Sequence, residues 1–294
     1  MTTTPTGVGI WNMGLRFGGE EQAVEAAVAA EELGYTAVWL PDLGGGGLFE
    51  RLTALLAATS RITVATGILN IWMHEPATVA ERYAKLTGTY GDRLLIGLGV
   101  SHAPIVDQAE AGRYRRPLAR MTEFLDGLDA ASPAVPARSR VLAALGPRML
   151  RLAGERAHGA HPYLVPLEHV ATARAALGPE KFLAPELAVV LETDPDRARQ
   201  IARTGLGMYF DLPNYLNNLR RYGFTDDDLA APGSDRLIDA LVAWGDEETI
   251  AARVAAYRDA GADHVAIQVL IGEHTAAATF PTEQWRRLAP VLTG

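Results

Sequence analysis

Several residue types and motifs are rare or missing in this sequence, and each absence excludes a class of chemistry. The 294 residues include no cysteine, so the chain has no disulfide, no thiolate nucleophile and no cysteine-ligated metal or iron–sulfur site. Lysine occurs only as Lys85, inside a predicted helix, and Lys181, ahead of a predicted strand, and neither is placed for Schiff-base chemistry. No Gly-x-Ser-x-Gly elbow occurs, which argues against an α/β-hydrolase nucleophile.

Positive charge is also in short supply. The formal net charge is −8, and the chain has no run of lysines or arginines beyond the short cluster Arg113, Arg115, Arg116 and Arg120. This balance argues against a nucleic-acid or anionic-membrane partner. No apolar run approaches the roughly 20 residues that span a bilayer, and residues 1–5 lack the features of a signal peptide. We therefore expect a cytoplasmic protein whose partner is a small-molecule substrate, with no nucleic acid and no membrane.

Short apolar strands alternate with helical patterns along the chain. Strands are predicted at residues 8–11, 37–41, 63–68, 94–98, 141–144, 159–163, 187–191 and 264–270, and helical patterns lie between them. Such alternation favours parallel pairing, and eight strands predict an α/β fold, a single (β/α)8 TIM barrel over residues 1–294. A doubly wound sheet is the alternative, but no Gly-x-Gly-x-x-Gly fingerprint follows the first strand.

One segment breaks the alternation. Residues 205–246 carry extra helical patterns, the last of which runs to Trp244, so we predict a helical insertion before the last strand. In a barrel, such an insertion is either a lid over the catalytic end or a packing surface for a second subunit. The sequence favours neither.

In a barrel the active site lies at the carboxyl ends of the strands. The fourth predicted strand is apolar on both faces, and Gly97 and Gly99 would let a ligand or a neighbouring backbone approach closely. Relief of crowding inside the barrel explains the same glycines. In the fifth loop, Gly146 turns the chain and Pro147 begins a helix whose free amides suit a phosphate, although an ordinary proline-started helix has the same sequence.

The expected mouth of the barrel is poor in acids and bases. His74, His102, His161 and His274 fall on separate loops without a His-x-His pair, so we expect no metal site. Glycine, apolar side chains and amides dominate. This profile suits a flat, conjugated redox cofactor, which supplies the reactive atom itself and needs the protein mainly to hold and orient it.

Four segments together resemble the bacterial luciferase-like flavin and deazaflavin oxidoreductases, most closely the F420-dependent branch of that superfamily. They are Thr66-Gly67-Ile68-Leu69-Asn70 followed by His74-Glu75-Pro76-Ala77, residues 91–102, Ala144-Leu145-Gly146-Pro147-Arg148-Met149, and residues 253–265. The resemblance implies coenzyme F420 at the barrel mouth, with a non-proline cis peptide near Gly67. It also implies cofactor contacts at Asp42, Thr66, Gly67, Ile68, Asn70, Gly99, Val100, Ser101, Gly146, Pro147 and Arg148.

The sequence departs from this family at one point. Some deazaflavin-dependent sugar-phosphate dehydrogenases carry Asp-His after the second strand, whereas here Asp42 is followed by Leu43 and four glycines. Asp42, His74 and His102 are therefore the candidate catalytic residues for proton transfer, unless solvent supplies the proton. The resemblance favours an oxidoreductase that transfers a hydride between coenzyme F420 and a small organic substrate at the barrel mouth. An FMN-dependent monooxygenase and a cofactor-binding barrel without turnover are the alternative functions.

The family also implies a homodimer. The Ala-rich helix at residues 52–58 could pack against its twin, although the same pattern suits the core of a single chain.

Overall fold

The computed structural model describes residues 4–108, 110–272 and 279–294, so His274 lies outside the described residues. The strands and helices follow in the order β1 Gly7–Trp11, α1 Gly14–Phe17, α2 Glu20–Glu32, β2 Ala37–Leu40, α3 Leu48–Ala58, β3 Thr63–Thr66, β4 Leu69–Asn70, α4 Pro76–Tyr90, β5 Leu94–Gly99, α5 Ala103–Val106, α6 Pro117–Ala130, β6 Arg140–Leu142, α7 Pro147–Arg156, β7 Gly159–Ala160, α8 Leu167–Leu177, β8 Phe182–Leu183, β9 Glu186–Val190, α9 Pro195–Leu206, α10 Pro213–Arg221, α11 Asp226–Leu229, α12 Asp235–Leu241, β10 Val242–Trp244, α13 Glu247–Asp259, β11 His264–Val269 and α14 Thr282–Leu292.

The strands form a closed parallel ring. Starting from β11, the hydrogen-bonded order is β1, β2, β3, β5, β6, β7 and β8, and β9 pairs with β11. Only Ala184 and Pro185 separate β8 from β9, so these two strands act as one barrel strand that pairs with β7 at its start and with β11 at its end. The eight-strand barrel predicted from the alternation is confirmed.

The third barrel strand is interrupted at its carboxyl end. The sequence predicts one strand over residues 63–68, but β3 ends at Thr66 and β4 begins at Leu69, with a cis peptide bond between Gly67 and Ile68. This is the position that the family resemblance implies for a non-proline cis peptide. The interruption lies against β5, where the Thr66 hydroxyl donates a 2.8 Å hydrogen bond to the carbonyl oxygen of Gly97.

The two glycines of β5 serve different contacts. A Cβ atom on Gly97 would lie 2.0 Å from the carbonyl oxygen of Thr66, so the missing side chain lets two backbones approach. A Cβ atom on Gly99 would lie 2.4 Å from Cγ1 of Ile68, the residue after the cis bond. Gly97 therefore relieves crowding inside the barrel, as one of the two sequence interpretations holds, whereas Gly99 makes room for a side chain at the mouth.

The insertion is helical over α10, α11 and α12, but its end differs from the prediction. The helical pattern to Trp244 is wrong for residues 242–244, which form β10 and pair in parallel register with Ala188, Val189 and Val190 of β9. The free edge of β9 offers backbone partners that local helix propensity does not anticipate. Apolar side chains of α10 and α12 join the same core cluster as the side chains inside the barrel.

Helix α3 packs into its own chain. Leu52, Leu55 and Leu56 are buried in the core, while Ala57 and Ala58 are exposed. Core packing thus accounts for the leucines of this helix, and the homodimer stays a prediction. Within the described residues, no helix has the length and apolar character needed to cross a membrane.

Candidate active site

A cavity of about 470 Å³ opens where the barrel strands end. Ten of the residues singled out in the sequence contribute to its wall, and they come from four separate loops: Asp42, Gly67, Ile68, Gly99, Val100, Ser101, His102, Gly146, Pro147 and Arg148. The barrel mouth is therefore open, with room for a bound molecule. Most of the remaining wall is apolar or aromatic.

Three predicted site residues lie behind this wall. Thr66 and Asn70 are fully buried and do not line the cavity, because Thr66 bonds to β5 and the Asn70 side chain accepts a 3.1 Å bond from the Trp72 amide. The side-chain nitrogen of Asn70 has no hydrogen-bond partner among the described residues. His74 lies behind Asp42.

The floor of the cavity is built from bare backbone and neutral rings. The indole nitrogen of Trp11 donates a 2.8 Å hydrogen bond to the carbonyl oxygen of Gly67, which fixes the backbone at the cis bond. His161 stacks on Trp39 with 4.2 Å between ring centroids, and its Nδ1 lies 2.6 Å from the carbonyl oxygen of Ala184. A carbonyl only accepts, so Nδ1 carries the hydrogen. Burial lowers the pKa of His161 to about 4, so this imidazole is neutral at neutral pH.

Asp42 and His74 form a hydrogen-bonded pair at the cavity edge. The distance from His74 Nε2 to Asp42 Oδ2 is 2.7 Å, although 32 positions separate the two residues in sequence. Burial alone would raise the pKa of Asp42, but the hydrogen bond and charge of His74 and the amides of Gly44 and Asn70 outweigh it and lower that pKa. The carboxylate therefore stays ionised, and one proton can be held between the two side chains.

A second cavity of about 610 Å³ lies on the other side of this pair. Asp42, Leu43 and Ile105 line both cavities, whereas His74 lines only the second. The rim of the second cavity is the run of four glycines at positions 44–47, which all have φ between +71° and +101°. This left-handed run needs glycine, and the buried guanidinium of Arg16 holds it by donating to the carbonyl oxygens of Gly44 and Gly46.

His102 contributes a second neutral imidazole to the wall. Its ring lies 4.7 Å from that of Tyr215, and Nδ1 has no hydrogen-bond partner among the described residues. Burial lowers the pKa of His102 to about 4. At neutral pH this side chain can accept a proton or a hydrogen bond rather than supply a proton from a charged form.

The insertion supplies one side of the cavity, and a packing role against a second subunit stays a prediction. Its contributions to the wall are Met208, Tyr209, Leu212, Asn214, Tyr215, Asn217 and Arg221. A Cβ atom on Gly146 would lie 3.6 Å from Nη1 of Arg221, so this guanidinium lies over the start of α7, whose first turn also carries the cavity-lining Arg148. Together they give that end of the cavity two cations and a helix N-terminus.

Sequence reasoning missed these residues because nothing in the local pattern shows that α10 folds back over the mouth. Tyr163 lies at the mouth as well, and its ring forms a cluster with Tyr209 and Tyr215 at centroid distances of 5.3 and 6.0 Å. The run of leucine and asparagine residues around Tyr215 gave no signal of a site. The Asp42 and His74 contact was foreseeable in principle, because neighbouring strand ends meet at one edge of a sheet.

Comparison with known proteins places this geometry in context. The family model described as luciferase-like monooxygenase matches residues 18–264, which is most of the chain. The chain belongs to the luciferase-like monooxygenase family. Its similarity to a Mycobacterium tuberculosis protein, named as a coenzyme F420-dependent oxidoreductase, is 29% identity over 146 residues, or 49% of this chain and 41% of that protein. The match thus spans about two fifths of the length of that relative.

Two solved structures share the fold over nearly the whole chain. The coenzyme F420-dependent tetrahydromethanopterin reductase of Methanopyrus kandleri gives a TM-score of 0.76 at 18% identity, covering 98% of this chain and 100% of that one. A type II Baeyer–Villiger monooxygenase of Pseudomonas putida, in complex with FMN, gives 0.69 at 14% identity, covering 99% and 98%. At these identities the likeness supports the fold alone.

Proposed function

We propose that this protein is an oxidoreductase that transfers a hydride between coenzyme F420 and a small organic substrate at the barrel mouth. The observation that carries the proposal is the cavity of about 470 Å³ at the strand ends, whose wall includes Gly67 and Ile68 at the cis bond and Gly99 at the end of β5. When bound, the deazaflavin supplies or accepts the hydride. The F420-dependent relative supports this cofactor, and the FMN-bound neighbour supports FMN as the alternative.

The residues present fit the cofactor at both ends. Gly67, Ile68, Val100 and Ser101 would face the ring. Gly146, Pro147, Arg148 and Arg221 would hold a phosphate-bearing side chain, because the free amides at the start of α7 and the two guanidinium groups favour an anion. Thr66 and Asn70 act from behind the wall, where they hold the backbone around the cis bond.

Titration with F420 and with FMN tests the cofactor. We expect the wild-type protein to bind F420 more tightly than FMN, followed by cofactor absorbance and fluorescence. Gly99→Ala should weaken F420 binding at least about tenfold, because the new methyl group displaces Ile68 into the space proposed for the ring. Gly88→Ala is the matched control, since a Cβ atom there meets nothing within 4 Å and Gly88 lies on the exposed face of α4.

Two outcomes of this titration contradict the proposal. Tight binding of FMN with no binding of F420 favours the monooxygenase alternative. Binding of F420 without turnover across a broad substrate panel favours a barrel that only holds the cofactor.

We further propose that Asp42 and His74 handle the proton that accompanies hydride transfer. A hydride carries two electrons and one proton, so reduction of a neutral substrate needs one more proton. His74 lines the second cavity and contacts Asp42, which lines the first, so the pair connects the two spaces. His102, with a neutral imidazole and an unpaired Nδ1 among the described residues, is our second candidate and would act as a proton acceptor.

Substitution of the pair should lower turnover strongly. We expect Asp42→Asn and His74→Gln each to reduce kcat of F420-linked turnover by about 100-fold, the size of a general acid–base contribution. His74→Gln keeps a donor for Asp42 but cannot carry a proton. Because the folded-state pKa of Asp42 is lowered, its carboxylate is ionised above that pKa and becomes protonated as the pH falls through it, so wild-type kcat should decline on the acid side.

His158→Gln is the control for these variants, since half-buried His158 lines neither cavity and bonds to Thr4. Full activity of His74→Gln with an unchanged pH profile of kcat would assign His74 a positioning role only. In that event, solvent or His102 must handle the proton.

A further inference from the structure

A buried polar contact joins the insertion to helix α8, and the function proposed so far gives it no role. His169 of α8 and Asn218 of α10 are both fully buried. The distance from Asn218 Nδ2 to His169 Nδ1 is 3.4 Å, and the Tyr222 hydroxyl lies 3.1 Å from the same nitrogen. Burial of polar groups costs free energy unless they are hydrogen-bonded, so this contact fixes the placement of α10 on α8.

The neighbours of Asn218 determine which way its amide points. Nη1 of Arg221 lies 3.3 Å from Oδ1 of Asn218, and a guanidinium only donates hydrogen bonds. Oδ1 therefore faces Arg221, while Nδ2 donates to Nδ1 of His169. Burial, together with the charge of Arg221, lowers the pKa of His169 to about 4, so this imidazole is neutral at neutral pH and can accept that bond. A directed chain of hydrogen bonds thus runs from Arg221 through Asn218 to His169.

This chain holds the Arg221 guanidinium in one place. Arg221 is exposed and its side chain is long, so a ligand that fixed it without help would lose affinity to side-chain entropy. Asn218 lies three positions earlier on the same face of α10 and is itself held by His169. The guanidinium is therefore positioned before a ligand arrives.

The place where Arg221 is held suits a phosphate. Within the described part of the chain, the charged side chains on the wall of the first cavity are Asp42, Arg148 and Arg221, and both arginines lie where α7 begins. Neither arginine forms an ion pair with a carboxylate of the described residues, whereas Arg220, the neighbour of Arg221, pairs with Asp226 at 2.9 Å. Two cations are thus available to an anion at this end of the cavity.

We propose that Asn218 and His169 are positioning residues that hold Arg221 for the phosphate of the cofactor, so that the insertion makes the site select the phosphate-bearing form of its ring over the phosphate-free form. The inference rests on the proposed function, since it concerns the cofactor end of the same cavity. Arg221 is the residue that touches the phosphate, whereas Asn218 and His169 act through it. Because none of the three handles the proton, kcat at saturating cofactor should not change when they are replaced.

The test measures the Kd of four compounds with the full chain, followed by absorbance and fluorescence. They are F420, the deazaflavin analogue of riboflavin, which has the same ring and ribityl chain without the phosphate, and FMN and riboflavin, which differ by the phosphate alone. Phosphate selectivity is the Kd of the phosphate-free compound divided by that of its phosphate-bearing partner. We expect a wild-type selectivity above about tenfold, because two guanidinium groups meet the anion.

Asn218→Leu keeps the volume of the buried side chain and removes its hydrogen bonds. This variant should lower phosphate selectivity about three- to tenfold, the worth of one hydrogen bond, and change the Kd of the phosphate-free compounds less than about twofold. His169→Phe keeps a ring but offers no acceptor. It should lower selectivity in the same direction, and it serves as the test if Asn218→Leu does not fold.

Two further variants show whether the effect passes through Arg221. Arg221→Gln should lower selectivity at least as much as Asn218→Leu, and the double variant should lose no more than Arg221→Gln alone. Arg220→Gln is the matched control, since it removes a positive charge from the adjacent position of α10, where the guanidinium pairs with Asp226 and does not line the cavity. Its selectivity should equal that of the wild type.

Each outcome decides the matter. Unchanged phosphate selectivity in both Asn218→Leu and His169→Phe overturns the positioning role. Equal weakening of phosphate-bearing and phosphate-free compounds also overturns it, because the variant then alters the shape of the cavity rather than the place of Arg221. Failure to bind F420 while FMN binds overturns the proposed function alone, and the ratio of riboflavin to FMN then decides this inference. Failure of all four compounds to bind overturns both.

Discussion

Replacement of Gly97 by alanine should destabilise the barrel by at least about 3 kcal/mol. The new Cβ atom would lie 2.0 Å from the carbonyl oxygen of Thr66, and this contact joins two backbones that cannot move apart independently. Strands β3 and β5 pair just before this point, at Val64 with Leu94 and Ala65 with Leu95, and the Thr66 hydroxyl bonds to the carbonyl oxygen of Gly97 itself. Urea unfolding followed by circular dichroism measures the change in the free energy of unfolding.

Gly88→Ala is the matched control for this variant. Gly88 lies in the exposed face of α4, and a Cβ atom there meets nothing within 4 Å. The same substitution should therefore stabilise the protein by about 0.5–1 kcal/mol, because alanine restricts the unfolded chain and favours the helix. Equal unfolding midpoints for Gly97→Ala and the wild type would show that β3 and β5 can separate at little cost.

The second large effect concerns the pH dependence of stability. Glu186 begins β9 and is buried, and its Oε2 accepts a 3.0 Å bond from the Leu164 amide. Oε1 has no hydrogen-bond partner among the described residues. Burial raises the pKa of Glu186 from 4.5 to about 8, so the folded protein holds this carboxyl in the neutral form near pH 7.

Proton linkage gives the direction in which Glu186 makes stability depend on pH. Between pH 4.5 and about 8 the unfolded chain releases this proton while the folded chain retains it, so wild-type stability falls as the pH rises through this range. Glu186→Gln has no such proton. Between pH 5 and pH 9, the free energy of unfolding of Glu186→Gln should therefore rise relative to that of the wild type by on the order of 4 kcal/mol. Denaturant unfolding of both proteins at several pH values measures this difference.

Glu123→Gln, on the exposed surface of α6, makes the same chemical change without burial and shows what the loss of one carboxylate does by itself. Parallel stability curves for the wild type and Glu186→Gln would mean that Glu186 is already ionised in the folded protein.

Local sequence signals predict the regular parts of the fold well. Helix α4 begins at Pro76 and ends at Tyr90, just before Gly91, because proline suits the first helical turn and glycine ends the last one. The sequence also predicts most strand positions, since a strand buried on both faces is apolar along its length. Ten of the candidate residues line one cavity because strand ends meet at one edge of a barrel.

What the sequence does not predict depends on contacts between distant segments. Strand β10 exists because β9 has a free edge, although residues 242–244 continue a helical pattern. The break after Thr66 depends on the close approach of β5. Tyr209, Tyr215 and Arg221 enter the site only because the insertion lies over the mouth, and periodicity within the insertion carries no information about that placement.

The division of the cavity wall between barrel and insertion has a consequence for how new specificities arise. The surfaces proposed for the ring belong to β-strand ends that hold the whole cylinder together, so changes there endanger folding. Tyr209 and Leu212 sit on a segment that closes no part of the cylinder. Descendants of this chain can therefore exchange side chains around Tyr209 and Leu212 and acquire different reactants while the proposed ring-binding wall stays intact.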